Sequence, residues 1–459
     1  MTSSLRIVLL SRLKARLVAR LVPLVLVVGC SPPSPITGQA DAIRPCNGKH
    51  CADAGAPGMD GGADAAQGDM GASPDAGQAD MSDSALSVAE PSSYDPPITI
   101  TKGGVYTGNW KTDDLDTPAV TVNTSEPVTI ENCHISHVGH GIWSPWSHAR
   151  LTVRNCSFHG KPPTVDGRER GRAISIPSFV HLQVEQNFFE HTGTVVAIDG
   201  YSGNGTVAET LIVRYNKVRN IDGRYRNGGR TLVNFVAVQN FTNAEGNPRF
   251  AEIAWNDVVN LPDESSTEDL INFYQAGGRV DSVFQVHDNL LKGSYPTPAT
   301  NPEATGSGIQ IDGKDHTKTA YIDVYKNTIM QTLNGGMGAA AGQHVHMHDN
   351  RVISSGKDDA GNYWPGNYGG VWTFDFYGAG AVGTMQDIVI DHNVIGWASA
   401  NYTDPYAHRF DVTVNVLGGI HDNTALPDAP ITKAMEDAEV QAFLDKVVAA
   451  GVKLGPHAP

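Results

Sequence analysis

One short motif recurs ten times in this chain, and it constrains the fold more than any other feature. An apolar residue is followed, three positions on, by an Asn or Cys marker, and two positions after that by a second apolar residue. The clearest copies are Leu182 to Phe189, Phe284 to Leu291, Tyr321 to Ile329 and Ile388 to Ile395. The markers fall at Cys133, Cys156, Asn187, Asn216, Asn256, Asn289, Asn327, Asn350, Asn393 and Asn423. Their spacing varies from 23 to 43 residues, too irregular for helical repeats. Within each copy apolar and polar residues alternate, the period of a strand. A second strand precedes many markers, as in Ala173–Ile176, Gly308–Asp312 and Val371–Asp375. Short strands separated by variable loops at a recurring register describe a solenoid of β coils.

A solenoid places equivalent residues of successive coils in one column. Two residues before the marker the column begins Glu131, Arg154, Glu185 and Arg214, alternating in sign as paired neighbours on adjacent strands do. The register therefore predicts structural ion pairs there. Near the C-terminus, residues 432–450 read as an amphipathic helix with Thr432 as its N-cap and Gly451 past its end. We expect it to pack over or beside the last coil, covering an open end.

The marker column resembles the stacked asparagine ladder of the pectate-lyase-like superfamily, over roughly residues 98 to 426. The resemblance implies an all-β fold: a single-stranded right-handed parallel β-helix (solenoid) of about ten coils with a short C-terminal helix. It also implies that each buried amide bonds to the backbone of its turn and to the rungs about 4.8 Å away. Cys133 and Cys156 replace the first two amides. Their Cβ atoms are expected to point the same way, which predicts two stacked, buried thiols.

The chain has 459 residues, 33 Lys+Arg against 49 Asp+Glu and a net charge of −16. An acidic chain without a basic stripe argues against nucleic acid as a partner. Five basic residues between Arg6 and Arg20 precede an apolar run, Leu21 to Val28, which is signal-peptide length rather than a membrane span. The segment Val27-Val28-Gly29-Cys30 resembles the lipobox of bacterial lipoproteins. It implies a signal peptide over 1–29, a lipid anchor at Cys30 and, with Ser31 following, placement in the outer membrane at the cell surface. Residues 52–90 hold seven Asp, Glu90 and no Lys or Arg, so 30–93 reads as a lipidated, extended acidic tether. Cys46 and Cys51 either form a short-loop disulfide or remain free thiols. The β-helix is expected over 94–426 and the helical cap over 427–459.

Two outer faces hold candidate chemistry. His344, His346 and His348 alternate along one strand and face outward. The register sets Asp323 on the coil below and Asp387 and Asp391 on the coil above. His-x-His with nearby carboxylates suits a divalent cation such as zinc, so His344, His346, His348, Asp323 and Asp391 are candidate ligands. On the other strand the expected outward positions are Asn234, Asn272, Tyr274, Gln310, Asp312, Thr373 and Asp375, with Asp199 at a strand end.

The superfamily resemblance implies that such a face binds an extended polysaccharide. Asp312 and Asp375, two coils apart, would stand roughly 10 Å from one another, near the separation of an inverting glycosidase pair. A lyase would instead need a base and a cation beside the sugar carboxylate, either a local basic residue or bound calcium; Arg168, Arg172, Arg224, Arg230, Lys314 and His316 lie in neighbouring loops. The catalytic candidates are thus Asp199, Tyr274, Asp312, Lys314, His316 and Asp375. Complete enzyme signatures are missing. Gly139-His140-Gly141 resembles part of the polygalacturonase motif, without the Asn-Thr-Asp before it or the Arg-Ile-Lys after it. The sequence supports a surface-anchored protein that engages polysaccharide and leaves open whether it cleaves it as a lyase or glycosidase or is a non-catalytic adhesin.

Overall fold

In the computed structural model of the protein, the described residues are 88–145, 148–242, 251–302, 306–378, 384–398, 410–412, 418–427 and 429–457. Cys30, Cys46, Cys51 and the tether up to residue 87 lie outside them. The strands wind into three parallel sheets of eleven strands each, and every third strand in sequence pairs within the same sheet. This is the parallel β-helix that the ladder implied, with eleven coils rather than ten. The additional coil is the first, Ile98–Thr112, whose rung position is Gly108, so the motif passes over it.

The expected register holds residue by residue. The apolar position three before the marker forms one continuous inward column from Ile130 through Val153, Val184, Val213, Ile253, Val286, Val324 and Met347 to Ile390. All of these are buried. On the third sheet Phe158 and Phe189 stack at 4.6 Å. Burial of this column and its two counterparts, at about 25 cal/mol per Å² of apolar surface, is what makes the coils pack.

The asparagine ladder runs unbroken from Asn187 to Asn423. Asn289 illustrates one rung: its Nδ2 donates to Ile253 O at 2.9 Å and to Asn327 Oδ1 at 2.8 Å. Its Oδ1 accepts from the Asn256 N–H at 3.1 Å and from Asn256 Nδ2 at 2.9 Å. The residue before each of the ten markers, from Asn132 to Asp422, has a left-handed backbone with φ between 51° and 60°. None is glycine, although left-handed backbone costs other residues roughly 1 to 2 kcal/mol. The single left-handed residue makes the sharp bend between the second and third sheets, and the ladder bonds hold it.

Cys133 and Cys156 correct the expectation of free thiols. They form a disulfide across the first two marked coils, with Cα atoms 4.5 Å apart. That separation lies inside the range that a disulfide spans, so rotation of the two side chains brings the sulfurs together although both stand on the same face. The amide ladder begins where the bridge ends, the Cys156 N–H donating to Asn187 Oδ1 at 3.0 Å.

The predicted charge column is also present. Arg154 pairs with Glu131 at 2.6 Å, and Arg214 pairs with Glu185 at 3.2 Å and Glu252 at 3.4 Å. The C-terminal helix, α1 (Lys433–Ala449), is capped by Thr432 as expected; it does not sit over the last coil but starts beside it, Met435 clustering with Ile353, Val394, Ala398 and Leu426. It lies along the outer face of the third sheet. There Val440, Phe443 and Val447 pack with Val259, Leu290 and Met330 of the sixth to eighth coils. Buried Glu436 anchors it, accepting from Gln331 Nε2 at 2.7 Å and the Ser355 N–H at 2.6 Å. The tail then continues back toward the N-terminal coils, where the Gly455 N–H donates to Tyr215 O at 2.8 Å. At the other end, Glu90 already belongs to the folded part, bonded to Tyr94 at 2.9 Å and paired with Lys161.

Candidate functional site

On the first sheet, Gln239, Tyr274 and Asp312 occupy one outward column, and Asp199 follows the end of the strand that pairs with the Gln239 strand. Asp199 stands three coils before Asp312, about 14 Å away at the strand spacing, and accepts a bond from Asn240 Nδ2 at 2.7 Å. Tyr274 and Asp312 are direct neighbours. The adjacent outward column reads Asn272, Gln310, Gly338 and Trp372.

Trp372 was not among the sequence candidates. A Cβ at Gly338 would come within 2.2 Å of its indole, and one at Gly335 within 3.0 Å of its Nε1. These two glycines therefore leave the space in which the indole lies flat on the outer face, half-buried. The sequence signal was present, Gly335-Gly336-Met337-Gly338 one coil before a Trp, but its meaning depends on the register.

Three of the expected outward residues, Thr373, Asp375 and Asn234, are buried instead. Val371, Trp372 and Thr373 alternate in, out, in, so Thr373 belongs to the core column with Ile311 and Ala339. Asp375 is fully buried beyond the strand end. Its carboxylate accepts from the Gly378 N–H at 2.5 Å and from the Thr384 hydroxyl, and faces His316 Nε2 at 3.4 Å. Asp312 and Asp375 therefore do not form a glycosidase pair open to a substrate. His316 is committed as well: the Gly342 N–H donates to its Nδ1 at 3.1 Å, which leaves the ring proton on Nε2, facing Asp375. Both ring nitrogens fasten loops together, and His316 is not free to act as a base. Asn234 is likewise buried, donating to Asp269 O at 2.7 Å. Lys314 is exposed in the loop after Asp312.

The structure adds two carboxyl groups that the sequence reading passed over, Glu268 and Asp269. Burial pushes the Asp269 carboxyl up to about 7, against the pull of bonds from the Ser307 N–H at 2.9 Å and Asn272 Nδ2 at 2.9 Å. Glu268 is raised by burial first and then by the charges of Asp269 and Asp312, partly offset by Arg230. Asp312 is raised by burial, moderated by the Tyr377 hydroxyl and the Gly313 N–H. Beside this cluster one buried polar atom, Gln310 Nε2, has no hydrogen-bond partner among the described residues, whereas the Ser307 hydroxyl is drawn to Asp269. Unpaired buried donors of this kind cost about 1 to 3 kcal/mol each unless something outside the chain satisfies them.

The loop cations proposed for a lyase are partly taken up by the protein's own acids. Arg168 pairs with Asp116 at 2.8 Å, and Arg224 with Asp222 at 2.8 Å. The face is therefore dominated by carboxyl, amide and aromatic groups.

On the second sheet the histidine strand is as expected, with Val345 and Met347 buried and the imidazoles outward. Asp323 is paired in register with His346, and Asp391 with His348. His346, His348 and Asp323 converge, their ligating atoms all within 4.8 Å of one another. Asp391 joins through His346 Nε2 at 2.8 Å. His344 stands apart: a left-handed residue at this position turns it away, and it stacks on Tyr321 at 4.6 Å and bonds Asp387 at 2.8 Å.

Fold and site together define a parallel β-helix protein with a polar, aromatic-bearing outer face. No protein-family model matches the chain, and no curated protein is similar to it in sequence. A solved structure of a mannuronic acid specific polysaccharide family 6 lyase from human gut microbiota aligns with 79% of this chain and 91% of its own. The TM-score is 0.32 and the identity 11%, so the chemistry of this chain is argued from its own residues.

Proposed function

We propose that the outer face of the first sheet binds an extended, uncharged polysaccharide. The observation that carries this reading is Trp372, laid across Gly335 and Gly338 beside the unpartnered Gln310 amide. A flat, half-exposed ring offers the apolar platform on which the face of a sugar stacks. Amides and carboxyls that keep hydrogen-bonding capacity suit its hydroxyl groups. The uncharged class follows from electrostatics: an acidic chain whose nearby Arg168 and Arg224 are already paired repels a polyuronate.

Cleavage is the second reading, and one observation favours it. Glu268, Asp269 and Asp312 are carboxyl groups with raised proton affinity beside the platform, the condition that a general acid requires. The lipobox resemblance at Cys30 supports placing this face at a bacterial cell surface, carried on the acidic tether.

The test is retention on immobilised neutral and uronic polysaccharides, with assays for new reducing ends and unsaturated products run on the same panel. Trp372→Ala is expected to abolish retention on a neutral glycan while leaving the fold intact by circular dichroism. Retention that survives this substitution, or retention confined to polyuronates, would overturn the assignment. Product formation that disappears in Asp312→Asn would establish the cleavage reading.

A further inference from the structure

We infer that His346, His348 and Asp323 form a binding site for one borderline divalent metal ion, zinc by preference, on the outer face of the second sheet. Three independent features of the geometry support it.

The first is the spacing of the ligand atoms. His348 Nε2 lies 3.0 Å from Asp323 Oδ1, and His346 Nδ1 lies 4.0 Å from the same oxygen. Donor atoms around a tetrahedral zinc, with bonds of about 2.0 to 2.1 Å, sit about 3.3 Å apart. Both distances to Asp323 lie within about 0.7 Å of that value, and all the ligating atoms lie within 4.8 Å of one another, so small side-chain rotations complete the set. The stacked imidazoles, with ring centroids 4.1 Å apart, come from positions 346 and 348 of one strand, so backbone pairing fixes their separation.

The second feature is what holds the other ring nitrogens. His346 Nε2 faces Asp391 Oδ1 at 2.8 Å, and His348 Nδ1 faces Asp349 Oδ2 at 2.8 Å. Each histidine therefore presents one nitrogen toward Asp323 and gives the other to a separate carboxylate. A carboxylate behind a ligating histidine fixes its tautomer and ring plane and raises its basicity. Two such supports in a three-residue cluster are not needed for a merely hydrated face.

The third is the chemistry of the set. Two imidazole nitrogens and one carboxylate oxygen suit zinc, with copper or nickel as competitors, whereas calcium takes six to eight oxygen ligands. His346 remains 42% exposed, which leaves a fourth position for water or a ligand oxygen. His344 is excluded, being held by Tyr321 and Asp387.

The experiment uses the full chain without any histidine tag, freed of metal by chelation and titrated with zinc chloride by calorimetry. Cobalt(II) serves as the spectroscopic probe. One zinc per chain is expected, with visible absorption of low-symmetry cobalt. His346→Ala and His348→Ala should each weaken zinc binding at least 100-fold. Asp391→Asn and Asp349→Asn should weaken it about 10- to 100-fold, the range for a supporting carboxylate. His344→Ala should change it less than threefold. Circular dichroism of each variant, and binding measured in the conservative His348→Asn, separate loss of ligands from loss of fold. The inference is overturned if the metal-free chain takes up no zinc, if His346→Ala binds as the parent does, or if His344→Ala weakens binding as much as His346→Ala. None of these results bears on the glycan face, which lies on a different sheet.

Discussion

Replacing Asn289 by alanine tests the ladder at its centre. The substitution removes the acceptor of the buried Asn256 N–H and the donor to Ile253 O, and breaks the amide chain to Asn256 and Asn327. Two buried backbone groups are stranded, at about 1 to 3 kcal/mol each. The void left by three side-chain atoms adds roughly another 1 kcal/mol. The sum is about 3 to 7 kcal/mol. Asn423 makes the same kind of bonds, to Asn393 and Ile390 O, but is half-exposed in the last described coil, where water can replace the lost partners. Asn423→Ala should therefore cost only about 1 kcal/mol. Urea unfolding followed by fluorescence and circular dichroism measures both, and hydrogen exchange at the Asn256 amide gives the local effect, since solenoids can open coil by coil. A loss below about 1 kcal/mol for Asn289→Ala, or equal losses at both sites, would refute the argument that burial and not the bond count sets the cost.

Other consequences are equally direct. Cys133→Ser opens a loop closed across a sequence separation of 23 residues and should cost about 3 kcal/mol; in the parent, peptide mapping should find Cys133 and Cys156 unalkylated even after denaturation, until a reductant is added. Lys326→Gly should stabilise the protein by up to about 1 kcal/mol, because Lys326 is exposed with φ 54°, whereas glycine in an ordinary strand position destabilises. Asp269 has a folded-state pKa raised to about 7 from 3.8, so its contribution is full below about pH 4 and is lost as pH rises toward 7. Buried His137 and half-buried His140, held down to about 4 mainly by loss of solvation, act in the opposite direction and cost stability as pH falls from 6.5 to 4. Asp269→Asn should accordingly make the urea midpoint rise more steeply from pH 4 to 7 than in the parent; an unchanged profile would contradict the burial argument. Cys30→Ser should leave the chain unprocessed or free of the membrane fraction, and normal processing with membrane recovery would remove the lipid anchor.

The sequence by itself determined the parallel β-helix, its register, the amide ladder and the ion-pair column. The physical reason is that a solenoid repeats one local environment, so a buried amide or an inward apolar residue is demanded at the same offset in each coil. The histidine strand was legible for the same reason: alternation alone sends Val345 and Met347 inward and His346 and His348 out. Tertiary structure decided whatever depends on departures from that repeat. The left-handed residue that separates His344 from its neighbours and the contacts that enclose Asp375 and hold His316 leave no mark in residue type, whereas the inward parity of Thr373 was there to be read in the alternation of Val371, Trp372 and Thr373. Glu268 and Asp269 escaped notice because their raised proton affinity comes from burial and from Asp312 on the next coil, which no spacing records. Trp372 is a platform because Gly335 and Gly338 are missing side chains on the adjacent strand, so its role resides in a neighbour's absence. Helix α1 satisfied the helical pattern, but its docking beside the sixth to eighth coils was fixed by the apolar strip of Val259, Leu290 and Met330, three residues distant in sequence that only the wound sheet brings together.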